Sequence, residues 1–196
     1  KASKMSLLVV GSVAIDSVET PFGKREAVLG GSATYFSISA SFFTNVKLVA
    51  VIGRDFPKKY ILLLEARGIS LDGLEVSKGK TFRWKGKYEH DLNKANTIYT
   101  KLNVFKNFSP KIPYAYKKTP YLFLANIDPE LQLNVLKNVD SPRLVACDSM
   151  NFWIANKLNA LKKLLKNVDV FIINDSEARL LSRESNLLKA SRYIFS

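Results

Sequence analysis

The chain has 196 residues, 47% of them hydrophobic and 11% aromatic. That is enough apolar material for one sizeable core and argues against disorder, while no apolar run approaches the length that spans a bilayer. Thirty Lys and Arg against 17 acids give a net charge of +13, but the lysines are spread over nearly every segment, which favours a solvated basic surface over a nucleic-acid-binding face.

The N-terminal KASKMSLLVVGSVAID is basic and then briefly apolar, and Gly11 and Asp16 interrupt it before a secretory core could form. It reads as a first strand, Leu7 to Val10, buried on both faces of a parallel sheet, with Met5 a candidate native start. Asp16 follows that strand. Ligands in open α/β sheets bind outside the carboxyl ends of strands, so a carboxylate there is placed to accept hydrogen bonds from hydroxyls. A turn or capping aspartate reads the same segment equally well.

Leu29 to Phe43, LGGSATYFSISASFF, pairs two glycines with a helix of small and aromatic residues. Gly30 and Gly31 can take positive φ and let a ligand approach the main chain, and the helix start can aim free N–H groups at it. Tight turns use the same residues. A second apolar run, Lys47 to Ile52, leads through Gly53-Arg54-Asp55-Phe56-Pro57 into the helical block KKYILLLEARG, which Gly68 ends. The alternation β-α-β-α indicates a parallel sheet with crossover helices.

From Thr81 to Phe105 the helical period disappears. Phe82, Trp84 and Tyr88 alternate with polar residues, so this stretch reads as hairpin or edge strands joined through the polar region 90–96. Its lone His90 has no second histidine with which to build a metal cluster. Pro110, Pro113 and Pro120 mark an irregular return, after which Tyr121 to Leu124 is a strand followed by Asn126. Asp128, Pro129 and Glu130 then start a helix with Leu131, Val135 and Leu136 on its buried face.

Leu144 to Cys147 is the next strand, ending at Asp148, with Cys147 a small buried hydrophobe. A single cysteine cannot form an internal disulfide, which favours a cytoplasmic location. One helix carrying Ile154, Leu158, Leu161 and Leu165 follows, with Trp153 either core, the favoured reading, or a pocket wall. Val170 to Ile173 is an apolar strand ending in Asn174-Asp175-Ser176-Glu177. Those residues read as a helix cap, and equally place an amide and a carboxylate where they suit a hydrated Mg²⁺ or phosphate-bound water. A last helix runs from Asn186 to about Phe195. No P-loop pattern is present.

Four features in this order, a first strand followed by Gly11-Ser12 and Asp16, LGGSATYF, VIGRDF and IINDSE, resemble the ribokinase-like, PfkB-type carbohydrate kinases over nearly the whole chain. The resemblance implies a three-layer α/β/α sandwich over residues 1–196, with a mostly parallel sheet and a small inserted β lid at residues 81–105 that in many relatives doubles as a dimer clasp. It implies phosphoryl transfer from ATP, with Mg²⁺, to a hydroxyl of a sugar, nucleoside or related polyol. By the same resemblance Asp16 holds acceptor hydroxyls, and Gly30 and Gly31 bound the acceptor pocket. Phe82 and Trp84 in the lid exclude water, while Asn174 and Glu177 organise Mg²⁺ and phosphates.

Two departures stand out. Where relatives commonly carry a sugar-contacting asparagine after the glycine pair, this chain has Tyr35, which becomes a substrate-binding candidate. The Gly-Ala-Gly-Asp segment with the general-base aspartate belongs after Ser196, so the resemblance implies a chain truncated before the ATP-site region and inactive by itself. A non-catalytic, kinase-like small-molecule sensor is the alternative; a nucleic-acid-binding protein rests on charge alone. The expected partner is a small-molecule acceptor, with no nucleic acid or membrane, and with a homodimer formed through the lid.

Overall fold

The computed structural model describes residues 5–90 and 95–195. The basic start at residues 1–4 and most of the turn expected at 90–96 lie outside them. In chain order the elements begin β1 (Ser6–Val10), β2 (Ala14–Thr20), β3 (Gly23–Gly30), α1 (Ser32–Ala40), β4 (Asn45–Gly53), α2 (Lys58–Ala66) and β5 (Ser70–Ser77). They continue with β6 (Phe82–Tyr88), β7 (Ala95–Lys101), β8 (Tyr121–Leu124), α3 (Pro129–Lys137), β9 (Leu144–Asp148), α4 (Asn151–Asn156), α5 (Leu158–Leu165), β10 (Val170–Ile172), α6 (Asp175–Ser182) and α7 (Leu187–Phe195).

Six strands form a wholly parallel sheet in the order β10-β9-β8-β1-β4-β5. Side chains alternate strictly between its two faces, as the period of two demands. Leu8, Val10, Val49, Val51, Leu122 and Leu124 enter one core with Val135 of α3, Ile154 of α4 and Leu161 of α5. Val9, Leu48, Ala50, Ile52, Phe123 and Ala125 enter the other with Ala33 of α1 and Leu64 of α2. Helices therefore cover both faces, giving the three-layer α/β/α sandwich that the resemblance implies.

The chain runs from β1 outward to β4 and β5, then returns to the other side of β1 and continues through β8 and β9. Strand order thus reverses beside β1. At such a switch point the loops leaving neighbouring strands diverge and open a crevice at the strands' carboxyl ends.

A second, four-stranded sheet, β3-β2-β6-β7, stands beyond that crevice. Residues 82–88 and 95–101 lie in it, but β2 and β3 supply its other half, and the sequence reading assigned neither of them, nor β5. Thr20-Pro21-Phe22-Gly23 makes the β2–β3 turn, a turn signal that could have been recognised. The two sheets are joined at Asp55. Its carboxylate accepts from the Thr81 N–H (2.6 Å) and hydroxyl (2.8 Å) and pairs with Arg83 (2.7 Å), while the Gly53 N–H donates to Thr81 Oγ1 at 3.0 Å.

Two other expectations change. The single helix over Ile154 to Leu165 is broken at Lys157, whose φ of −133° is not helical; its ammonium ties the break to Asp128 (2.8 Å) and Glu130 (2.6 Å). The apolar β10 is an edge strand, with Val170 and Ile172 half exposed.

Candidate active site

Asp16 was expected in a loop just past β1 but lies within β2, the inner strand that pairs with both β3 and β6. Its carboxylate folds back against Gly30, and a Cβ at that position would overlap it. Gly30 is thus required for space. Gly31 is required for conformation, with φ +95°, and a Cβ there would overlap the Ser12 carbonyl. What approaches these glycines closely is the protein's own Asp16 and Ser12, so the pair shapes the crevice by letting a carboxylate and a loop close over the start of α1.

Burial pushes the Asp16 carboxyl up to about 6 from an ordinary 3.8, against the opposing pull of the Gly31 N–H. Its Oδ1 is buried with no hydrogen-bond partner. An unpaired, desolvated carboxylate oxygen is costly unless something donates to it. A hydroxyl-bearing ligand can.

From Asp16 the site continues along a chain of hydrogen bonds across the strand ends. The Ser32 N–H donates to Ser12 Oγ (3.2 Å), the Asn126 N–H to Ser32 Oγ (2.9 Å), and the Trp153 indole N–H to Asn126 Oδ1 (2.9 Å). Trp153 is therefore half-buried at the crevice edge and tethered to it, which matches the pocket-wall alternative and not the favoured core reading. Behind them Gln132, fully buried, donates through Nε2 to the carbonyls of Leu124 (2.9 Å), Ala125 (3.2 Å) and Asp148 (3.2 Å), holding the ends of β8 and β9 together.

Asp148 is the site residue that the sequence reading passed over. Burial, and then the neighbouring Glu177 charge, push its carboxyl up to about 7, and its Oδ1 is also buried without a partner. The signal available in the sequence was its position, an aspartate ending an apolar strand. Glu177, raised chiefly by burial, forms a reciprocal cap with Asn174: Asn174 Oδ1 accepts from the Glu177 N–H (2.9 Å), and Glu177 Oε2 accepts from the Asn174 N–H (3.0 Å). The cap leaves Glu177 Oε1 uncommitted.

The lid candidates differ from one another. Phe82 stacks on Phe105 with centroids 5.0 Å apart and is a packing residue at the root of the second sheet. Trp84 pairs in register with Asp16. The Tyr35 hydroxyl donates to the Leu29 carbonyl at 2.9 Å, with the side chain otherwise exposed. The structure thus brings Asp16, Gly30, Gly31, Tyr35 and Trp84 to one side of the crevice, and Asn174 and Glu177 with Asp148 to another.

Burial also pushes Cys147 up to about 12, so it is an inert core thiol. Among the described residues no cluster of three His, Cys, Asp or Glu side chains could hold a metal ion, and no helix is long and apolar enough to cross a membrane.

No protein-family model matches the chain. A cytidine kinase of Thermococcus kodakarensis is 25% identical over 194 residues, covering 97% of this chain and 69% of the relative. The crystal structure of a Methanocaldococcus jannaschii nucleoside kinase, an archaeal member of the ribokinase family, superposes with a TM-score of 0.68 at 20% identity, covering 93% of this chain and 65% of that one. A ribokinase from Cryptococcus neoformans, solved with ADP, superposes with a TM-score of 0.74 at 19% identity, covering 99% and 68%. The chain thus spans about two thirds of the length of these proteins.

Proposed function

We propose that this ribokinase-like chain takes part in ATP-dependent phosphorylation of a hydroxyl on a sugar, nucleoside or related polyol. The observation that carries this reading is the buried Asp16 carboxylate, with an oxygen lacking any partner, at the carboxyl-end crevice of a fold shared with kinases. A carboxylate there accepts hydrogen bonds from vicinal hydroxyls and fixes which of them faces the phosphate donor.

Gly30 and Gly31 give the crevice its shape beside Asp16, and Tyr35 and Trp84 flank it. Phe82 anchors the root of the second sheet, which covers the site and limits access of water as a competing acceptor. Asp148 and Glu177, with Asn174 as the cap that orients Glu177, fit a magnesium ion that keeps several waters and also binds nucleotide phosphates. Such an ion uses one or two carboxylates, not a closed protein cage. When bound, it neutralises charge on the transferred phosphoryl group. In the resembling family the general base belongs to a Gly-Ala-Gly-Asp segment absent from these 196 residues, so no residue here is given that role. The single, buried Cys147 suits a cytoplasmic protein, and the second sheet is the surface through which we expect a homodimer to form.

The test is an ATP-dependent phosphorylation assay of the full-length gene product against sugars, nucleosides and polyols, compared with Asp16→Ala. Turnover of one class with a KM raised at least about tenfold in the variant is expected, as for loss of a charged hydrogen bond. No turnover with any class, or a variant with unchanged kinetics, would overturn the reading.

A further inference from the structure

We propose that the acceptor held at Asp16 is a nucleoside, with its base lying on an aromatic platform made by Trp84, Tyr88 and Tyr35. This rests on the reading of Asp16 as the residue that holds acceptor hydroxyls.

The platform is built by the alternation of β6. Parallel pairing sets Asp16 beside Trp84 and Val18 beside Gly86, so Trp84, Gly86 and Tyr88 share a face with Asp16, while Arg83, Lys85 and Lys87 point to the opposite face. On the Asp16 face the Trp84 ring lies down over Gly86, where a Cβ would overlap it. The indole N–H is pinned to Thr97 Oγ1 at 3.2 Å, and Tyr88 meets the ring edge-on with centroids 6.5 Å apart. One face of the indole is occupied by its own strand. Trp84 is half-buried, and the other face is the one we assign to the ligand, in an orientation fixed beforehand.

Tyr35 adds a second wall from α1. It is 59% exposed, yet its hydroxyl is tied to the Leu29 carbonyl, and its phenol is close enough to Asp16 and Tyr88 to sense their charges. One exposed ring and two half-buried ones, each held in place beside a buried carboxylate, match a ligand with hydroxyls at one end and a flat π system at the other.

Length separates the candidates. From the level of Asp16 to Tyr88 is four residues of strand, about 13 Å. A monosaccharide held by Asp16 reaches only the near end of that platform, even with its C–H face against the indole. A nucleoside engages Asp16 through its ribose and covers the remainder with its base.

The test measures equilibrium binding of cytidine, adenosine and D-ribose to the full chain by calorimetry, with thermal unfolding as the folding control. At least one nucleoside is expected to bind tenfold or more tightly than ribose. Tyr35→Ala and Gly86→Ala, the latter lifting Trp84 from its bed, should each weaken that nucleoside about tenfold and weaken ribose by clearly less, so that the nucleoside's advantage over ribose shrinks. Tyr35→Phe should retain nucleoside binding. Ribose bound as tightly as both nucleosides, no binding of any probe, or folded variants that leave nucleoside affinity unchanged would each overturn the platform. Asp16→Ala separates the two readings: ribose binding that depends on Asp16 without a nucleoside advantage defeats the platform alone, whereas nucleoside binding that ignores Asp16 but needs Tyr35 defeats the role given to Asp16.

Discussion

The Asp16 carboxylate occupies the space that a side chain at Gly30 would need. Two strands that pair in register, β2 and β3, can hold a buried acid at the crevice only because one of them has no Cβ at that point. Gly30→Ala is therefore expected to displace Asp16, with an overpacking cost of about 1–3 kcal/mol. In an Asp16→Ser background the same change should cost markedly less, because the clashing group is gone. Urea unfolding of the four proteins in this cycle measures the coupling, and equal costs in both backgrounds would show that the two residues act independently.

The raised carboxyls make stability depend on pH, Asp148 most of all. Asp148 titrates near 7 in the folded protein against an ordinary 3.8. Below about 4 it is protonated in both folded and unfolded states and exacts no penalty; above about 7 it is ionised in both and the burial penalty is complete. Stability from this group is lost as pH rises through that window. Asp148→Asn should thus raise Tm at pH 8 by several degrees and have little effect at pH 3.5. Thermal unfolding across pH 3.5–8 checks the sign, and a variant destabilised at pH 8 would contradict it.

Acceptor binding at Asp16 should show its own pH dependence. An ionised carboxylate is the better acceptor for ligand hydroxyls, so affinity rises as pH increases through about 6 and levels off above 7. Asp16→Asn removes the rise. A titration of ligand affinity from pH 5 to 8 reads both curves.

Thr81 links the two sheets through two hydrogen bonds of its one hydroxyl, from the Gly53 N–H and to Asp55. Thr81→Val keeps the shape and leaves the Gly53 N–H without a partner, at a cost of about 2 kcal/mol. Asp55 itself is held below the usual carboxylate range: burial alone would raise it, but the Arg83 and Thr81 hydrogen bonds outweigh that. The contribution of Asp55 is therefore present above about 4 and fades as pH falls below it. Urea midpoints of Thr81→Val at pH 7 should be lower than wild type, and no change would remove Thr81 from the hinge between the sheets.

Gln132 holds three carbonyls at the ends of β8 and β9 from a fully buried position. Gln132→Leu deprives these acceptors and should destabilise by about 2 kcal/mol. Loss of ligand affinity beyond the loss of stability would indicate that Asp148, at the end of β9, moves with them. Calorimetric binding below the transition temperature separates the two effects.

Much of this was legible in the chain itself. Apolar runs at Leu7–Val10, Lys47–Ile52, Tyr121–Leu124 and Leu144–Cys147 specified parallel strands, because a strand buried on both faces has no polar alternation to hide. Asp128-Pro129-Glu130 announced a helix start that the structure keeps, with Asp128 accepting from the Glu130 N–H. These are local signals, set by burial and by the chain's own hydrogen-bonding needs. Partnership across the fold was not local. Strands β2 and β3 escaped because GKREA carries no apolar period, and β3 exists only where β2, itself paired with β6, supplies its hydrogen bonds across the turn. Asp148 gained its character from Glu177, nearly thirty residues away, and from burial that no single segment announces. The Trp84 ring lies over Gly86, a contact that no local pattern announces. The sequence by itself determined which segments form the parallel strands and that helices alternate with them; the tertiary structure decided which carboxylates are desolvated, which rings are fixed, and which glycines make room for them, because those properties belong to contacts between segments.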